Sequence, residues 1–120
     1  MPKLFSDRNR SARCPFCRRE VLPPREIKGG QWYEFSGGYC ACGGVYALDP
    51  TARNGGAVLL QAMLMACGGD MDRVLNLSPD TDYDEGHVHH YNSHTHQVES
   101  TAFGTIYFIR VREGAGDAEN

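Results

Sequence analysis

Residues 40–48 read CACGGVYAL. Cys40 and Cys42 put two sulfurs on one tight turn, and Gly43-Gly44 allows the positive φ angles and close backbone approach that such a turn needs. Val45-Tyr46-Ala47-Leu48 follows as a run of strand-forming residues. A second close pair lies upstream in Cys14-Pro15-Phe16-Cys17, where Pro15 stiffens the turn. The 22 residues between Cys17 and Cys40 suffice for a hairpin with a long loop. Brought together, the two turns supply four thiolates in a tetrahedron, a donor set that suits zinc over harder cations. The expected metal ligands are Cys14, Cys17, Cys40 and Cys42, and the expected cofactor is one structural zinc ion.

The two cysteine turns, their flanking strands and the glycines after Cys42 resemble the zinc-ribbon superfamily over residues 12–48, a third of the chain. The resemblance implies the same four ligands. Two features depart from the ribbon pattern. Arg18 stands where ribbons usually carry glycine, and the second pair is C-x-C in place of C-x-x-C. Cys14-Pro15-Phe16-Cys17 also looks like the active-site motif of glutaredoxins. That chemistry needs a buried strand before the motif and a helix after it, whose N-terminus lowers the thiol pKa. The preceding Ser6-Asp7-Arg8-Asn9-Arg10-Ser11-Ala12-Arg13 is too polar for such a strand, and Pro23-Pro24 truncates any helix. Cys67, the fifth cysteine, sits in an apolar run and reads as a small packed hydrophobe.

Around this nucleus the chain reads as one small α+β domain spanning 1–120. A ribbon over 13–48 with short antiparallel strands leads into a helical segment, 49–78, and a C-terminal β-hairpin over 84–112. Strands are expected at Trp32-Tyr33-Glu34-Phe35 and Val45–Leu48. Asn54 and Gly68-Gly69 bracket a helix over 55–67 that is apolar nearly all round, with Gln61 its one polar side chain between the glycine pairs. Asp70 can cap a shorter helix over 71–77, which Ser78-Pro79 stops. Thr105–Arg112 is the clearest strand, with Tyr107, Ile109 and Val111 on one face. Residues 1–12 and 113–120 are expected to be disordered.

All five histidines fall between His87 and His96. If Asn92-Ser93 makes a two-residue turn, His89 faces His96, and His87, His89, His94 and His96 share one side with His90 on the other. Such a face could hold a second transition metal, with Asp82 and Asp84 near enough in sequence to add oxygens. A turn near 99–103 would instead pair the histidine strand with Thr105–Arg112, leaving the histidines as polar residues of a solvated sheet face.

No nucleophile motif, phosphate loop or dinucleotide fingerprint occurs. No apolar run is long enough to span a membrane, and the start lacks the apolar core of a signal peptide, so a cytoplasmic location is expected. Charge is uneven: residues 1–31 carry a net +5 and residues 32–120 a net −8. These features suit a non-catalytic zinc-ribbon module with a protein or nucleic-acid partner. The alternatives are a metal-dependent hydrolase built on the His87–His96 cluster and a small regulatory subunit whose only ligand is its zinc.

Overall fold

The computed structural model describes residues 10–28, 33–79 and 81–112. Strand β6 (Gly104–Val111) is apolar on both sides: Ile106 and Phe108 point one way, Tyr107, Ile109 and Val111 the other. A strand of that kind needs partners along both edges and cover on both faces. It obtains the partners from β4 (Tyr83–Asn92) and β3 (Val45–Asp49), each antiparallel to it. β2 (Gly37–Tyr39), β5 (Gln97–Val98) and β1 (Arg10–Ser11) complete one six-stranded sheet in the order β1-β5-β4-β6-β3-β2. The strands around the second cysteine pair and the C-terminal strands thus belong to one mixed sheet-and-helix fold, mostly antiparallel.

Helix α1 (Gly55–Ala66) covers one face, burying Val58, Ala62 and Met65 against Val45, Ala47 and Ile109. Its outer side stays open, and Leu60 is 41% exposed, so the helix is less enclosed than its composition suggests. Gly68 and Gly69 both take positive φ and end it, with the Gly69 N–H on the Leu64 carbonyl at 2.7 Å. Helix α2 (Met71–Leu75) starts at Asp70, whose carboxylate accepts the Arg73 N–H, and stops two residues before the expected end. Buried Asp49, at the end of β3, turns the chain into α1: its two oxygens take the N–H groups of Thr51 and Asn54.

The opposite face is covered by residues 10–28, laid across the sheet as a strap. Arg10 and Ser11 pair with β5 at one margin, and Arg25 exchanges both backbone hydrogen bonds with Gly37 at the other. Between these points Ala12 and Cys14 are buried against Tyr46, Tyr91 and Phe108, and the Tyr46 hydroxyl donates to the Leu22 carbonyl at 2.8 Å. Residues 10–12 are therefore built into the sheet and its core, against the expected disorder, because two backbone pairs and a buried alanine hold them. The other residues expected to be disordered, 1–9 and 113–120, lie outside the described residues, as does Trp32.

The strand expected at 32–35 forms instead at Gly37–Tyr39. Tyr33 and Phe35 pack against the α1 side of the core. Gln61 explains the shift: its amide accepts the Phe35 N–H at 2.8 Å and donates to the Phe35 carbonyl at 2.7 Å, satisfying that backbone as a strand neighbour would. Gln61 is 2% exposed, so its amide has no access to water. Replacing Gln61 by Leu is expected to cost about 1–3 kcal/mol, since both Phe35 backbone groups lose their partner. Urea unfolding would measure it, and a change below about 0.5 kcal/mol would mean that water takes over the bonds.

Candidate metal centre

The four predicted cysteines converge. Their sulfurs all lie within 4.8 Å of one another. Across the two turns, Cys14 Sγ is 3.7 Å from Cys42 Sγ, and Cys17 Sγ is 3.5 Å from Cys40 Sγ. Sulfurs at the corners of a tetrahedron around zinc, with Zn–S of about 2.3 Å, stand about 3.8 Å apart. The site therefore has the dimensions of a four-thiolate zinc centre. Among the described residues it is the one group of three or more His, Cys, Asp or Glu side chains whose ligand atoms come together in this way.

Local backbone chemistry builds each turn. In the first, the Arg18 N–H bonds the Cys14 carbonyl at 2.8 Å, the Cys14 N–H bonds the Arg19 carbonyl at 2.9 Å, and the Phe16 N–H points at Cys14 Sγ at 3.4 Å. Arg18 takes φ +68°, the left-handed conformation that glycine adopts without strain. The departure from the ribbon pattern is thus accommodated by strain at one residue. In the second turn Gly43 takes φ +96°, and Cys40 and Gly44 close a tight hairpin through a 2.8 Å bond. The short C-x-C pair works because β2 and β3 grip the turn on both sides. Residues 18–28, directly after Cys17, form no helix, so the context that a redox motif requires is not formed.

Electrostatics shows why four thiols placed together call for a cation. Burial pushes the Cys14 thiol up to about 12, and it raises Cys40 too. Burial also opposes ionisation of Cys42. There the Gly44 N–H and the neighbouring sulfurs outweigh it and bring the group down to about 7. A bound dication would replace thiol protons and turn mutual repulsion into ligation.

Supports for this site were not among the residues that the sequence marked. Phe16 stands edge-on to Phe108 at 6.4 Å, and the Arg110 guanidinium lies 4.9 Å over its ring. Gly86 leaves room for Pro15, whose Cγ would be 2.6 Å from any added Cβ. The signal was present in the two-residue period that puts Phe108 and Arg110 on one side of β6. That period alone does not say which segment lies against this side.

The histidines do not form the expected four-residue face. β4 pairs with β6 along most of its length and not with residues 94–96, so the turn near 99–103 is the closer description, with the two-residue β5 (Gln97–Val98) added at the end of β4. A β-bulge between Val88 and Tyr91, with His90 at φ +61°, lets Tyr91 enter the core. Asn92 Oδ1 then accepts the N–H groups of His94 and Thr95 and makes a four-residue turn in place of a two-residue one. His87 and His89 stay side by side, with rings 5.8 Å apart. His87 bonds Glu85 at 3.0 Å, and His89 lies 3.4 Å from the Thr105 hydroxyl. His90 donates from Nδ1 to the Ala102 carbonyl, and His96 contacts the Tyr91 hydroxyl at 3.1 Å. Asp84 is held below the usual carboxylate range by its hydrogen bonds to Arg112 and Arg110, so it serves an arginine pair. Cys67 is buried beside Leu64 and Val74, away from the cluster, with its thiol pushed up by burial.

No family model, curated protein or solved structure matches this chain. Among the described residues no helix is long and apolar enough to cross a membrane.

Proposed function

We propose that this chain is a non-catalytic module of the zinc-ribbon type, in which Cys14, Cys17, Cys40 and Cys42 hold one structural zinc ion and the surface around it meets a macromolecular partner, protein or nucleic acid. The convergence of four sulfurs from two hydrogen-bonded turns carries the reading. Four thiolates fill a tetrahedral ion and leave it no open position for substrate, which favours a structural role over a catalytic one. A thiolate centre of this kind suits a reducing compartment such as the cytoplasm. A hydrolase would need a second metal. The dispersal of His90, His94 and His96 from the His87–His89 pair works against that, although the pair itself could still hold an ion.

Elemental analysis of the purified protein is expected to find one zinc per chain. Cobalt substitution should give the absorption of a tetrahedral thiolate site. Both signals should vanish in Cys14→Ser/Cys40→Ser and persist in His89→Ala/His96→Ala. Absence of zinc, or its loss only in the histidine variant, would overturn the reading. A second equivalent that the histidine variant loses would favour the metal-enzyme alternative.

A further inference from the structure

The charge asymmetry of the sequence becomes a spatial one. Residues 10–28 carry six basic and two acidic side chains, whereas the other described residues carry four basic and eight acidic. The strap thus carries its cations from the first cysteine turn to the β2 edge of the sheet, where Arg25 pairs with Gly37. Arg13, Arg18, Arg19, Arg25 and Lys28 are all exposed. Among the described residues none of the five forms an ion pair. Arg110 and Arg112, by contrast, are engaged by Asp84.

In the midst of these cations stand two apolar side chains that the core does not take up. Tyr39 is 60% exposed and Leu22 64%. They form the partition between two open hollows. One, of about 580 Å³, carries Arg25 and Lys28 with Glu26, and the other, of about 280 Å³, carries Arg19 with Glu20. A flat aromatic with cations in the hollows on either side matches a polymer that alternates planar bases with phosphates. An aromatic ring accepts the face of any base, while the flanking cations follow the backbone. A duplex hides its base faces and offers Tyr39 nothing to stack on.

We propose that this face binds single-stranded nucleic acid, with a base stacked on Tyr39 and the phosphate backbone running over Arg19, Arg25 and Lys28 toward Arg13 and Arg18 of the first cysteine turn. The proposal rests on the reading of the chain as a partner-binding zinc module, and it names the partner. Four thiolates on one dication carry a formal charge of −2 beneath this face, which subtracts from the attraction without reversing it.

The test is fluorescence anisotropy of the full chain with a labelled oligothymidylate, read from 50 to 200 mM salt. Binding is expected at 50 mM and should weaken about 100-fold by 200 mM, the slope for roughly five phosphate contacts on a single strand. Tyr39→Ala is expected to weaken binding about 10-fold without changing the salt slope. Arg18→Gly should flatten the slope while keeping the turn intact, because glycine takes φ +68° without strain. Zinc content, measured on every variant, separates the two readings. Zinc without oligonucleotide binding at 50 mM overturns this proposal alone, and binding by a chain that holds no zinc overturns only the module reading. Equal affinity for duplex DNA or for polyglutamate, or a Tyr39→Ala variant that binds like the parent, would also overturn it.

Discussion

Removing the metal with a strong chelator, or replacing Cys14 and Cys40 together by serine, is expected to unfold residues 13–48. Two magnitudes set the size of the effect. Zinc contributes about 10–16 kcal/mol to small thiolate and imidazole sites near neutral pH. A whole domain is stable by only about 5–15 kcal/mol. Here the metal would join two turns distant in sequence, and Cys14 is fully buried. Without the ion its sulfur keeps only weak hydrogen bonds, and the strap is released from the face that contains Tyr46 and Phe108. Amide resonances of 13–48 should collapse toward random-coil positions, while α1, on the far side of the sheet, retains part of its helical signal. Acid should act in the same direction. Thiolates depressed by the metal add stability that is present at neutral pH and lost as falling pH protonates them and expels zinc. A metal-free chain that keeps dispersed resonances over 13–48 would refute the structural role.

The second large effect is expected from Phe108→Ala. Phe108 has no exposed surface, and it lies 5.2 Å from Tyr46 and 6.4 Å from Phe16. Truncation of a buried phenylalanine costs about 3–5 kcal/mol through lost transfer free energy and the cavity left behind. In this protein the damage should extend to the metal, because Phe16 sits between the two cysteines of the first turn and rests on that ring. Competition with a chromogenic chelator should show weaker zinc binding in Phe108→Ala and near-parent binding in Phe108→Leu, which refills most of the volume. If Phe108→Ala lowered stability but left zinc affinity untouched, the packing and the metal site would be independent, contrary to the contacts described.

How much of this was legible beforehand differs by element. The cysteine cluster could be read because its logic is local: two close pairs each make a turn, and four sulfurs need one ion. The helix over 55–66 could be read from its glycine boundaries, and the faces of β6 from their alternation. β2 was hidden because Gly37 and Gly38 carry no strand signal, although Gly38 is required by the Tyr46 ring behind it. The aromatic residues before it looked like a strand, yet they belong to the core that Gln61 closes. The histidine face failed for a similar reason. Its register depended on one bulge residue, His90, and on an Asn92 side chain that replaces backbone in the turn. Both are settled by what β6 offers across the sheet, at a distance that no window of sequence contains.

The strap at the margins of the sheet has one more consequence. A sheet ends in unpaired backbone groups that can recruit a strand from another molecule, and proteins blunt such ends with very short strands and charged side chains. Here one outermost strand is the two-residue β1, carrying Arg10, and the other is the three-residue β2, partly shielded by Arg25. The mainly apolar β3 and β6 are kept inside. The same strap that carries half of the cysteine ligands therefore guards the fold against self-association, so metal loss and aggregation should set in together.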